Sequence, residues 1–124
     1  MMLVLQNSAP LDYSKLCNQT VTVYHKDGDK VTQATHHNAF LDFRKNQTVD
    51  RTESKESNSF LLILPGATQM VFVGDKVILG EGPEIATKEA WTAHVPARVP
   101  GLVVVDYVDP KYWNGRLVHT EAGG

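Results

Sequence analysis

At 124 residues the chain has the length of one domain with a modest core of its own, and 42% hydrophobic against 21% charged residues excludes a disordered chain. Twelve basic against 14 acidic residues leave a net charge of -2 and no basic stripe, Arg44-Lys45 being the only adjacent basic pair, which argues against a dedicated nucleic-acid binder. The single cysteine, Cys17, rules out an intramolecular disulfide or a cysteine zinc site within one chain and points to a reducing compartment.

Residues 1–19 read as an N-terminal arm. Its apolar run, including Leu3, Val4 and Leu5, lacks a basic flank and is too short for a signal-peptide core or a bilayer span, so a soluble protein is expected, made where it works. Ser14–Cys17 is expected as one helical turn. From Thr20 the period becomes two: Thr20–His25 alternates and is rich in β-branched residues, a strand signal. Asp27-Gly28-Asp29 is a hairpin turn leading into Val31–Ala34. A firmer strand, Ala39–Phe43, sets Ala39, Leu41 and Phe43 on one face.

Residues 44–59, RKNQTVDRTESKESNS, hold one aliphatic side chain and are expected as an extended polar loop, with a frayed hairpin as the variant reading. Next come the strands Phe60–Leu64, ended by Pro65-Gly66, and Gln69–Val73, with a tight turn at Gly74-Asp75 into Lys76–Leu79. Glu84–Ala90 reads as a helical turn or loop, and Ala93–Pro100 as irregular extended chain. Leu102–Val108 is a strand expected to break at Asp109-Pro110. Asn114-Gly115 then turns the chain into a last strand, Arg116–Thr120, and residues 121–124 are expected to be a flexible tail. The fold class that follows is all-β, a small barrel or sandwich of seven to eight short antiparallel strands spanning residues 20–120, with one long polar loop.

Chemistry is sparse along this chain. His36 and His37 are adjacent, so a strand points their rings to opposite faces, and His25, His94 and His119 are scattered without metal-ligand spacing. Cys17 has no basic neighbour to activate it, no serine sits in a nucleophile elbow, and Glu53 and Glu56 lie in a solvated segment. Gly74, Gly80 and Gly82 read as turns, since no helix follows to cradle a phosphate. Trp91, Trp113, Tyr107 and Tyr112 are either caps on a small core or an aromatic platform. No catalytic residue, metal or cofactor is expected, and the protein is not expected to be an enzyme.

The order of the pieces carries a resemblance. TVTVYHK comes first, then the polar segment, the strand LLILP, the turn and strand GDKVILGEGPE, and lastly VVVDYVDP followed by YWNGRLVHTEAGG. This resembles a group of small minor capsid proteins encoded in the head-to-tail region of long-tailed phages and prophages, and more loosely the head-completion or stopper proteins of that region. The likeness spans Thr20 to His119. It implies a β-barrel virion protein at the neck, made in the bacterial host cytoplasm, forming a homo-oligomeric ring. Portal and adaptor proteins would lie above it and tail proteins below, with viral DNA passing through the ring without sequence-specific binding.

On that reading, Arg44, Lys45, Asp50, Arg51, Glu53, Lys55 and Glu56 form a channel or docking loop. Its four basic and three acidic residues nearly cancel, so it would not grip DNA. Leu3, Val4 and Leu5 form a subunit-interface arm, packing on their own core or adding to a neighbour's sheet. Rival readings are a tail terminator or tail-completion protein, a small carbohydrate- or partner-binding β module using Trp91, Trp113 and Tyr112, and a small metal-dependent enzyme using the histidines.

Overall fold

The computed structural model describes residues 12–49 and 54–124. Alternating β-branched residues and glycine-bearing turns give β1 (Gln19–Asp27), β2 (Lys30–Val49), β3 (Ser54–Pro65) and β4 (Lys76–Leu79). A six-residue helix, α1 (Lys88–Ala93), precedes β5 (Val103–Val104), β6 (Tyr107–Trp113) and β7 (Arg116–Gly123). Thr87 caps α1, its hydroxyl accepting the Ala90 N–H. The strands form one antiparallel sheet in the order β5-β4-β1-β2-β3-β7-β6, curled into a half-barrel, the barrel-like form of the all-β class expected from the sequence.

The sheet turns at two corners. β2 pairs with β1 along its first half and with β3 along its second. Between them the register slips, Gln19 facing Ala39 but Val21 facing His36. The extra residue of this bulge reverses which side chains point inward. Before it, Ala34 and His36 share the face of Val23 and Val21; after it, Ala39 and Leu41 do. The other corner is the run Val103–Trp113, where Val105 N–H bonds Asp75 O at 2.9 Å and Asp106 N–H bonds Gly123 O at 2.8 Å. One continuous chain therefore leaves the β4 ladder and joins the β7 ladder within two residues.

The concave face holds the main core: Val21, Val23, Ala39, Leu41, Phe60, Leu62, Leu64, Val71, Val77, Val103, Val105 and Ala122. Tyr24 and Val31 point the other way, beneath a second layer built from the excursion between β4 and β5, with Ile85 buried and Trp91 packed against them. Hydrogen bonds fasten this layer to β1 and β2: Tyr24 OH to Pro83 O at 2.7 Å, Thr22 Oγ1 to Gly80 O at 2.8 Å, and Ile85 N–H to Gln33 Oε1 at 2.8 Å. Burial on both faces explains why β1 carries buried residues from Val21 to Tyr24 without a break.

Several sequence expectations change. Val31–Ala34 and Ala39–Phe43 belong to a single strand, β2, and Phe43 is exposed at the end of the concave row. The polar interval is strand as far as Val49 and again from Ser54, paired from Arg44↔Ser59 to Val49↔Ser54, so the hairpin within it is the larger part. Gln69–Val73 is not a strand, for the Phe72 N–H goes to the Asp75 carboxylate at 2.9 Å in place of a ladder. The Leu102–Val108 run divides between β5 and β6, and β6 continues through Asp109-Pro110 because an edge strand tolerates the missing N–H.

Val95–Val99 is a compact turn instead of extended chain, with Val99 N–H bonded to Val95 O at 2.9 Å. Glu121–Gly123 are no flexible tail. They complete β7, a strand with partners on both sides, and the Phe60 N–H bonds Gly124 O at 3.1 Å.

Candidate functional site

The sheet leaves two features unabsorbed, an arm and a recess. The arm is the outer part of the β2–β3 hairpin. β1 accompanies β2 only from Lys30 to Ala39, and β7 accompanies β3 only from Leu61 to Pro65. From Arg44↔Ser59 to Val49↔Ser54 the two strands pair with each other alone among the described residues. These six residue pairs make a ribbon roughly 20 Å long at about 3.4 Å per residue. Of the expected loop residues, Arg44, Lys45, Lys55 and Glu56 lie on this ladder. Asp50, Arg51 and Glu53 lie outside the described residues, as do Leu3, Val4 and Leu5.

The recess lies on the concave face near the β1–β2 turn and has a volume of about 280 Å³. Val23 and His25 of β1, Thr32 and Ala34 of β2, and Met70 and Phe72 from the segment before β4 line it. The tight turn expected at Gly74-Asp75 shapes one wall. Asp75 N–H bonds Phe72 O at 3.0 Å with Gly74 at φ 92, a positive angle that suits glycine in the third position of a type II turn. Asp75 is buried, and its two oxygens divide the work: Oδ2 takes the Phe72 N–H and Oδ1 takes His25 Nδ1–H at 2.6 Å. The His25 ring tilts against Phe72 at 5.3 Å between centroids. With Nδ1 occupied, Nε2 is the remaining polar atom of His25 and acts as an acceptor while the ring is neutral.

The apolar part of this wall faces solvent. Met70 is 44%, Phe72 43% and Val73 65% exposed, although Val71 between them is fully buried in the core. The sequence carried a signal for this: QMVFVGD is apolar on both faces of a two-residue period, which suits a strand covered twice and not one lying at a rim.

The other histidines are dispersed. His37 Nδ1 sits 3.2 Å from Thr20 Oγ1. His119 takes the Tyr13 hydroxyl on Nδ1 at 2.6 Å and donates from Nε2 to Glu121 at 3.0 Å, and burial raises the Tyr13 pKa. His36 and His94 are held below the usual histidine pKa, chiefly by burial, with the charge of His37 and of Lys76 respectively adding to it. Among the described residues no group of three or more His, Cys, Asp or Glu comes together in a way that would hold a metal.

Cys17 is buried and its thiol pKa is raised by that burial, the opposite of an activated nucleophile. The aromatics do not form one platform either. Trp91 lies under Lys76, whose Nζ is 4.1 Å from the ring centroid and donates to Trp91 O at 2.7 Å. Tyr107 and Trp113 stand at opposite ends of β6. Comparison with protein-family models, with curated proteins and with solved structures finds no match to this chain.

Proposed function

We propose that this chain is a structural virion protein of a phage head–tail junction, a small barrel-like subunit that forms a ring beneath portal and adaptor, closes the DNA channel and docks the tail. The observation that carries the reading is the two-stranded arm. Among the described residues the ladder of this ribbon has two strands only, and a two-stranded ribbon by itself is marginal in water, so contact with a neighbouring protein would add to its stability. In a ring the arm points either into the channel or onto the next protein along the axis. Its nearly balanced charges suit a passage through which DNA must move freely.

The rest of the molecule supports the same role: a stiff curled sheet with one projecting element behaves as a spacer with a handle. Rings are built from heterologous contacts, which close when the rotation per subunit is right. The exposed apolar rim at Met70, Phe72 and Val73 offers one half of such a contact.

The test is a null mutant of the phage or prophage that carries the gene, induced and viewed by negative-stain electron microscopy. The expected result is DNA-empty, tailless heads beside finished free tails. Full heads without tails would move the protein towards tail joining, the terminator reading. Normal infectious particles would overturn the virion role.

A further inference from the structure

We propose that the recess on the concave face binds a small aromatic molecule carrying one hydrogen-bond donor, a simple phenol, with His25 Nε2 as the acceptor that orients it. The inference is separate from the ring-forming reading, since a single copy of the chain holds every group it uses.

Chemistry, more than size, marks this recess. Two others, both bordered by Phe60 and Gly124, have volumes of about 290 and 300 Å³ against its 280 Å³. Of the three, this one contains an imidazole fixed from behind. His25 lies on β1 opposite Thr32 of β2, and its Nδ1–H is bonded at 2.6 Å to Asp75, whose side chain is 2% exposed. Burying a carboxylate is costly unless its oxygens find donors, and these are supplied by His25 and by the Phe72 N–H. One buried group thus sets both the polar anchor and the aromatic wall beside it. An imidazole held in one tautomer leaves Nε2 as the atom His25 can offer a ligand. Because the ring is already ordered, little of that hydrogen bond is lost to the entropy of fixing it.

The remaining lining selects an aromatic ring. Phe72 is tilted against His25 with 5.3 Å between centroids, and Met70 lies in the same wall. A further ring gains offset or edge-on contact with Phe72, and the Met70 thioether is a polarizable partner for it. Val23 and Ala34 add small apolar surface, and Thr32 a hydroxyl at the polar corner. The volume exceeds the roughly 150 Å³ of a cavity that accepts benzene, so a substituted ring fits. A mostly apolar lining with a few placed polar groups is the usual composition of a small-molecule site. A bound ring would also cover Met70 and Phe72, which are exposed without it. A ligand with acceptors alone would leave Nε2 unpaired, so the donor is part of the specificity.

The test uses p-cresol as probe, titrated into the full chain and followed by NMR. Saturable shifts are expected at Ala34, Met70 and Phe72 and at the His25 ring. p-Methylanisole has the same ring without the donor and is expected to bind about fivefold more weakly or worse, the worth of one net hydrogen bond. This comparison needs no substitution, so it stands even if changing His25 orphans Asp75 and unfolds the chain. Ala34→Phe fills the recess from an exposed strand position and is expected to abolish the shifts while the urea midpoint stays near that of the unaltered chain. The absence of saturable shifts at these residues up to millimolar p-cresol overturns the inference. So does equal affinity for the two probes, or undiminished binding to a folded Ala34→Phe protein.

Discussion

Tyr24 and Gly82 show how closely the convex layer is fitted. A Cβ on Gly82 would meet the Tyr24 hydroxyl oxygen and come within 2.9 Å of Ile78 Cγ2. Gly82 needs no unusual backbone angle, so the constraint is one of space. Gly82→Ala is expected to cost about 1–3 kcal/mol by overpacking. In a Tyr24→Phe background the same substitution should cost less, because the nearest atom is gone. Urea denaturation of the four proteins gives the coupling, and equal costs in both backgrounds would assign the strain to Ile78.

His36 and His94 make stability depend on pH. Among the described residues neither Nε2 meets a hydrogen-bond partner, and burial lowers the pKa of both rings below the reference value of 6.5. A depressed pKa in the folded state means that the unfolded chain binds more protons. Stability should therefore be fully present above about pH 6.5 and decline as pH falls through the lower folded values. Urea midpoints at pH 7.5 and pH 5 should differ in that direction, and His94→Gln should reduce the difference.

At the scale of elements, the arm and the body are separable. Replacing Gln47–Glu56 by Asn-Gly, which joins the paired residues Asn46 and Ser57 through a two-residue turn, is expected to leave the midpoint of the body within about 0.5 kcal/mol. In a phage the same change should impair DNA retention. A marked loss of stability in the isolated protein would show instead that the arm packs on the sheet.

The arm is also where the sequence misled most, for a physical reason. RKNQTV and SKESNS are polar almost throughout, so they carry no apolar period of two although both are strands. Turns were legible because their chemistry is local. Asn114 and Gly115 take φ 51 and 75, as an Asn-Gly hairpin demands, and the Asp27-Gly28-Asp29 turn differs only in closing on Gly28-Asp29 between the paired Asp27 and Lys30. Pro110 and residues 121–123 were misjudged because their state depends on which strand lies beside them. That neighbour is set by pairings such as Leu62↔Ala122, which no local pattern announces. The His25–Asp75 contact spans fifty positions and was hidden in the same way.

The molecule as a whole is expected to unfold as one unit, since β2 and the Val103–Trp113 run each belong to both halves of the sheet. Trp91 reports on the layer over β1, and Trp113 on the β6–β7 end. In Trp91→Phe and in Trp113→Phe the remaining fluorescence transition should coincide with the loss of far-UV circular dichroism. A Trp91 transition at lower urea would mean that the convex layer opens by itself.

The strand order also has a consequence in time. The β1–β2 and β2–β3 hairpins close over short loops, but β1 waits for β4 at Val21↔Leu79, and β3 waits for β7 at Leu62↔Ala122. Non-local ladders of this kind make folding slow, on a scale of about milliseconds to seconds. Until β7 arrives, the apolar stretch Leu61–Leu64 presents an unpaired edge beside its finished hairpin. A chain in which β7 has not yet closed exposes more pairing edge than the native protein, so crowding many copies together before that ladder forms is expected to favour mispairing over rings.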